Sequence, residues 1–467
     1  MRQINKDILK LALPSILANI TVPLVGMVDI AVAGHLDTNA ATMIGGIAIG
    51  SMLFDLLYWN FGFLRVGTGG LTAQAFGKQD WKECARILTR ALGISLGIAI
   101  CLILIQWIFV KAAFLVVDCT PEVRELASRY FFIRIWAAPA TLSLMALKGW
   151  FIGMQDSVSA MITDFVVNGM NVLMSIVLAL GITVPSAGVL INGMGFSGIA
   201  AGTVAAQYSG LIVALLLIAL KYRSKVFEAF SSADLKGVFK GSETRRFFVM
   251  NADLFVRSLC FIAIYIGFTV ISARYGDILL AVSSIMMKLL MIFSYFTDGF
   301  AYAGEALTGR YIGAKDRPML SQTVKWTFAW SMGIALIFML IYHFAGVPML
   351  RIMTSDATVV EASREYLPWL LLMPLIGCAA FTWDGIYIGA TASKAIRNSM
   401  LWAVAGFMLV WFAGIALLDM TDSSSDLYDR TAMHILMAAY FAHLLARTVY
   451  LSALYKKTIS GIARKWS

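Results

Sequence analysis

The residues able to do chemistry in this chain are few and stand in apolar surroundings. Asp29 lies between Leu24-Val25-Gly26-Met27-Val28 and Ile30-Ala31-Val32-Ala33, with no charged neighbour in that run. A charge at the centre of a bilayer costs about 2.5–3.5 kcal/mol on insertion scales, so such a residue needs a partner, a wet cavity or a task. A lone carboxyl in that setting can load and release a proton, which makes Asp29 the first functional candidate. Pro23, about one and a half turns earlier, should bend the helix and free carbonyls near the carboxylate. Further on, Asn168, Asn171 and Ser175 are spaced three and four apart and form one polar stripe on an apolar helix. Such a stripe lines a cavity or holds helices together.

The second half carries more charge. Asp253 and Arg257 are four apart and predict an internal ion pair; Asp298 and Glu305, seven apart, share a face; Lys288 precedes them and Asp384 follows on a later span. These groups read equally well as a proton relay or as a structural charge network. Asp384 and Asp298 are the stronger functional candidates because neither has an opposite charge within one turn. Asp55 and Arg65 stand ten residues apart in the first half, too far to pair along one helix.

The elements that must position these groups follow from composition. Of 467 residues, 60% are hydrophobic and 14% charged, and the mean hydropathy is +0.80. A soluble domain is nearer a quarter charged, so this chain belongs in a membrane. A spanning helix needs roughly 20 apolar residues, and the apolar runs predict twelve spans near 11–34, 43–66, 91–117, 127–151, 158–182, 194–220, 247–273, 278–308, 326–349, 365–391, 398–418 and 431–455. The runs are continuously apolar, whereas the strands of a membrane barrel alternate, so the fold class is an all-α integral membrane protein. Residues 1–220 form a first lobe of six helices, 221–246 a polar linker and 247–467 a second lobe. With the N-terminus inside, 25 of the 37 lysines and arginines fall in cytoplasmic loops and seven in outer loops, which predicts both termini in the cytoplasm. The net charge of +10 then serves topology and contact with anionic lipid, not nucleic acid. The first span runs on past Asp29 without a cleavage signature and is expected to be retained.

Shifting the chain by 236 residues brings Leu71, Thr72, Gly77 and Asp80 onto Leu307, Thr308, Gly313 and Asp316, and Gly149, Ile152 and Gly153 onto Gly385, Ile388 and Gly389. The two halves therefore read as duplicates. Six spans return the chain to its starting side, so the copies are parallel repeats related by a pseudo-two-fold along the membrane normal, a plan used by carriers with two rocking bundles.

Other motifs lead nowhere. Cys84, Cys101, Cys119, Cys260 and Cys378 are scattered and form neither a disulfide framework nor a zinc site; packing is their expected role. Gly193-Met194-Gly195-Phe196-Ser197-Gly198 matches a dinucleotide fingerprint literally, but no strand is expected before it and no acid follows at the right distance. Its glycines instead allow close helix packing. A phosphate-binding lysine loop is missing, so transport would run on an ion gradient. Neither a nucleophile with a base nor a clustered set of histidines indicates an enzyme.

At Leu11-Ala12-Leu13-Pro14, Val28-Asp29 and Gly34-His35-Leu36 the chain resembles the multidrug and toxic compound extrusion (MATE) family. The resemblance continues through Gly70-Leu71-Thr72-Ala73-Gln74-Ala75-Phe76-Gly77, Ala138-Pro139-Ala140 and Gly149-Trp150-Phe151-Ile152-Gly153. Asp298-Gly299-Phe300-Ala301-Tyr302 and Asp384-Gly385-Ile386-Tyr387-Ile388-Gly389-Ala390-Thr391 look like its DinF-type branch. The resemblance implies an antiporter that exports organic cations or amphipathic compounds in exchange for H⁺, or less readily Na⁺, by alternating access. It implies that Asp29 is the proton site and that Asn168 and Asn171 line the same cavity. Many relatives have an aspartate where this chain has Ser175, a departure that weakens any Na⁺ site there. Asp253, Asp298 and Asp384 match the family's second-lobe acids, which keeps coupling in that lobe open. The expected setting is a bacterial cytoplasmic membrane, with a small organic substrate, membrane lipid as the surroundings, a functional monomer and no cofactor beyond the gradient. A lipid or lipid-linked precursor flippase is the alternative, and an intramembrane enzyme a more distant one.

Overall fold

The structure, a computed structural model, describes residues 2–34, 36, 40–115, 117, 119–184, 188–227, 237–420 and 425–464. Within them are twelve helices long and apolar enough to cross a membrane. We number them α1 (Arg2–Ala33), α2 (Thr42–Gly77), α3 (Trp81–Ala113), α4 (Pro121–Gly153), α5 (Ser157–Leu180) and α6 (Phe196–Tyr222) in the first half. The second half holds α7 (Ser242–Tyr275), α8 (Asp277–Gly313), α9 (Arg317–Met353), α10 (Ala357–Gly389), α11 (Ser393–Leu418) and α12 (Leu427–Ile462). All twelve expected spans are present. Most run beyond the apolar stretch that announces them, because a helix needs only its middle to be apolar and its ends can be polar and capped. Asp80 caps α3 by accepting from the Glu83 N–H, and Asp316 caps α9 by accepting from the Met319 N–H, both at 3.0 Å. Leu104, Trp107 and Ile108 on α3 are 70%, 60% and 71% exposed. In water such a patch would be a liability; against acyl chains it is the expected surface.

The chain divides into two compact units, one of Leu17–Arg246 and one of Met1–Ile16 with Phe247–Ser467. The first packs around Phe54, Leu64, Tyr130, Phe131 and Ile199, with the rings of Phe54 and Phe131 stacked at 4.6 Å. In the second, Phe293, Phe338, Met400, Phe407 and Leu436 form the centre.

The duplication read from sequence is present in backbone detail. A Cβ on Gly149 would lie 2.1 Å from the Arg65 carbonyl oxygen, and one on Gly385 2.1 Å from that of Ala301. Both glycines and both carbonyls are related by the same shift of 236 residues. The shift also relates the caps Asp80 and Asp316. It relates the left-handed residues Gln79 (φ 59°) and Lys315 (φ 57°), and Gln155 (φ 64°) and Thr391 (φ 53°).

One element was not expected. Between α5 and α6 a short antiparallel hairpin pairs β1 (Gly181–Val184) with β2 (Gly188–Asn192), with a bulge between Ile182 and Thr183. A strand therefore does precede the Gly193–Gly198 string, contrary to the sequence reading, yet it belongs to a hairpin and not to a parallel βαβ unit. Two of its glycines serve packing as expected, since a Cβ on Gly193 would meet the Ala179 carbonyl oxygen at 2.8 Å and one on Gly198 that of Leu178 at 2.3 Å, whereas Gly195 meets nothing within 4 Å and instead takes a φ of 57°; beyond the string, a Cβ on Gly202 would meet the Ser175 nitrogen at 2.5 Å. The five cysteines are free; Cys84, Cys260 and Cys378 are buried, while Cys101 faces outward and does not pack.

Candidate functional site

In the first-half unit the polar groups of α1, α5 and α6 meet. α1 continues through Pro23 as unbroken helix and carries Asp29, which is 5% exposed. Ser175 Oγ donates to Asp29 Oδ1 at 3.0 Å. One turn back on α5, Asn171 Nδ2 donates to Thr203 Oγ1 on α6 at 2.9 Å, and Asn168 Nδ2 donates to Thr21 Oγ1 on α1 at 2.6 Å. The stripe Asn168, Asn171, Ser175 thus reaches three different partners and ties α5 to both neighbours. The small residues Gly198 and Gly202 let α6 approach closely enough for this.

No arginine, lysine or histidine among the described residues lies within ion-pairing distance of Asp29. Arg134, at the 3₁₀ turn inside α4, acts on it only through space. Its Nη1 donates to the Tyr130 hydroxyl at 3.0 Å, and its guanidinium lies 4.8 Å from the centre of the Phe54 ring. Asp29 is therefore a buried carboxyl held by a neutral hydroxyl, with fixed positive charge at a remove.

The second-half unit is built differently. Asp253 and Arg257 do not pair with each other as their spacing predicts. Asp253 Oδ1 accepts from Arg397 Nη1 at 2.6 Å and its Oδ2 from Ser393 Oγ at 2.7 Å, both at the start of α11. Arg257 Nη2 instead donates to Asp384 Oδ2 at 2.7 Å, and Arg447 on α12 donates to the same oxygen. Asp384, favoured from sequence because no opposite charge lies within a turn of it, is thus clasped by two arginines from other helices. Glu305 is fully buried on α8, Asp298 on the same helix is half-buried, and Lys288 is exposed and outside the cluster. Arg397, Arg447, Ser393 and Thr203 were missed because the sequence reading looked for partners along one helix. The available signal was Arg447 itself, a cation deep in an apolar run.

At the 236-residue shift Lys148 corresponds to Asp384. Lys148 Nζ donates to Asp164 Oδ2 at 2.6 Å, so one structural position carries opposite charges in the two halves, each with its own counter-charge. The shift also relates Asn168, Asn171 and Ser175 to Val404, Phe407 and Trp411. The latter two are buried in the apolar core.

Outside the membrane, Asp156 caps α5. It accepts from the Ser159 N–H at 3.0 Å, the Ser159 hydroxyl at 2.6 Å, the Tyr222 hydroxyl at 2.8 Å and Lys221 Nζ at 3.1 Å. Burial alone would push its pKa up; the bonds from Ser159, Tyr222 and Lys221 outweigh it and hold the carboxyl below its ordinary range.

Comparison with known proteins agrees with this architecture. The MatE family model matches residues 14–177 and 254–412. The chain is 35% identical over 407 residues to DNA damage-inducible protein F of Escherichia coli K12, covering 87% of this chain and 85% of that protein. It is 25% identical over 423 residues to the probable multidrug resistance protein NorM of Photorhabdus laumondii, covering 89% and 88%. Among solved structures, a MATE transporter in its bent conformation superposes with a TM-score of 0.80 at 14% identity, covering 99% of this chain and 97% of that one. With twelve membrane helices and a family match that extends across both halves, the chain belongs to the MATE family of multi-span membrane transporters.

Proposed function

We propose that this transporter is a proton-coupled efflux antiporter with Asp29 as its proton site. One observation carries the reading: Asp29 is buried against a neutral hydroxyl, while Asp253 and Asp384 are each bound to arginine. A carboxylate that already neutralises guanidinium cannot take a proton without leaving that charge uncompensated, whereas Asp29 can alternate between charged and neutral. Deprotonated, Asp29 attracts a cationic or amphipathic substrate; protonated, it releases that attraction. Exposing the site in turn to the two sides of the membrane converts inward proton flow into outward export. A serine at position 175 keeps the site at one carboxylate, which favours H⁺ over Na⁺ as the coupling ion.

The cycle requires no cofactor beyond the gradient, and one chain with both halves suffices as a monomer. Its likeness to the Escherichia coli protein supports a bacterial cytoplasmic membrane as its place, and the basic loops support an orientation with both termini in the cytoplasm. In proteoliposomes given separate proton and sodium gradients, export of a fluorescent organic cation is expected to follow the proton gradient and to be abolished in Asp29→Asn. Full transport by Asp29→Asn, or dependence on sodium alone, would overturn the reading.

A further inference from the structure

The Arg257–Asp384–Arg447 cluster differs in kind from the Asp29 site, and its charges do not close. Two guanidiniums share one carboxylate oxygen, so the cluster carries a formal charge of +1. Arg447 is 1% exposed, yet only its Nη2 is engaged; Nε and Nη1 are buried without a hydrogen-bond partner, as are Arg257 Nε and Asp384 Oδ1. A guanidinium offers five N–H donors in a fixed fork, and leaving buried donors unmet is costly, the more so when they carry charge. Buried cations in membrane helices are matched by a partner or serve a ligand. The Arg257 side chain is 21% exposed, whereas Arg447 beside it is buried. The Arg447 guanidinium also lies 5.9 Å from the centre of the Phe381 ring, which gives the site an apolar wall.

We propose that this cluster in the second half is a binding site for a monovalent anion, either a halide or the carboxylate of an organic ligand, received by the free edges of Arg447 and Arg257. One negative charge balances the +1. An anion placed on the far side of the guanidinium forks from Asp384 meets N–H donors without facing the carboxylate. Asp384 neutralises one of the two guanidiniums and so competes with the incoming anion for their charge. A divalent anion would leave a net negative charge in a low-dielectric site, so monovalent ions are preferred. The proposal stands apart from proton coupling at Asp29 and holds whether or not that reading survives.

The test uses the full chain purified in detergent, with thermal unfolding followed in sodium salts at constant ionic strength. Chloride, bromide and benzoate are titrated against sulfate. The expected result is a saturable rise in melting temperature with at least one monovalent anion and none with sulfate. Arg257→Gln, at the partly exposed arginine, is expected to weaken the apparent affinity on the order of tenfold, the loss of one charge-assisted bond. Asp384→Asn removes the competing carboxylate and is expected to strengthen it by a similar factor. Arg447→Lys should retain part of the effect, and Arg447→Met should abolish it. If Arg447→Met does not fold, the opposite shifts of Arg257→Gln and Asp384→Asn carry the test alone. Saturation by bromide without benzoate assigns the site to an inorganic ion; competition between the two assigns it to a ligand's carboxylate. No saturable difference between monovalent anions and sulfate, or an effect unchanged by every variant, would mean that the cluster holds only water and would overturn the proposal.

Discussion

A single hydroxyl determines what Asp29 can do. Ser175 supplies its donor, and leaving a buried carboxylate without one costs about 1–3 kcal/mol in the charged state. Ser175→Ala is therefore expected to move the pH at which transport is half-maximal, whereas Asn168→Ala, whose partner is Thr21, leaves that midpoint in place; a pH series of cation efflux distinguishes them. Asp29 and the stripe on α5 were legible in the sequence because a carboxyl in an apolar run and a three-and-four spacing are local signals. The pairing of the second-half acids was not. Asp253 and Arg257 satisfy the spacing of a helical ion pair, but each finds a better-placed partner on another helix, Arg397 and Asp384. Spacing fixes which residues can meet along one helix, while packing decides which do, and α7, α10, α11 and α12 converge from distant parts of the chain.

Helix ends obey rules that hydropathy does not carry. The apolar runs located all twelve spans yet placed the start of α3 about ten residues late, because Trp81 to Arg90 is polar and held by the Asp80 cap and by Arg90. The latter pairs with Glu83 at 2.6 Å and donates to the Val238 carbonyl at 2.6 Å. The hairpin after α5 escaped notice for the opposite reason: Gly181 falls within the expected fifth span, Gly188 and Gly193 read as a break between spans, and nothing local shows that the break pairs with itself. Asp156 gives this scale its prediction. A carboxyl whose pKa is depressed in the folded state contributes stability above the ordinary value of 3.8 and loses it as pH falls through the folded value. The first turn of α5 is thus expected to stay protected at neutral pH and to loosen below about pH 4, as read by amide hydrogen exchange at Ser157–Ser159. Asp156→Ala should remove the cap at every pH and destabilise by roughly 1 kcal/mol.

Duplication governs the molecule as a whole. Gly149 and Gly385 admit the same close backbone approach in the two halves, so Gly149→Ala and Gly385→Ala are expected to lower the melting temperature to a similar degree. Overpacking of this kind costs about 1–3 kcal/mol or more. Equal scaffolds nevertheless hold unequal chemistry, and a proton-driven transport assay should keep its dependence on the pH gradient in Asp384→Asn while losing it in Asp29→Asn. The shared position of Lys148 and Asp384 has a consequence for how the halves can be combined. A gene joining the first half to itself would encode two Asp29 carboxyls, two Lys148–Asp164 pairs and no arginine cluster. Joining the second half to itself would encode two arginine clusters and no Asp29. Neither homogeneous fusion is expected to reproduce the natural protein: one copy of the fold holds a buried carboxyl against a hydroxyl, and the other holds its acids against arginines.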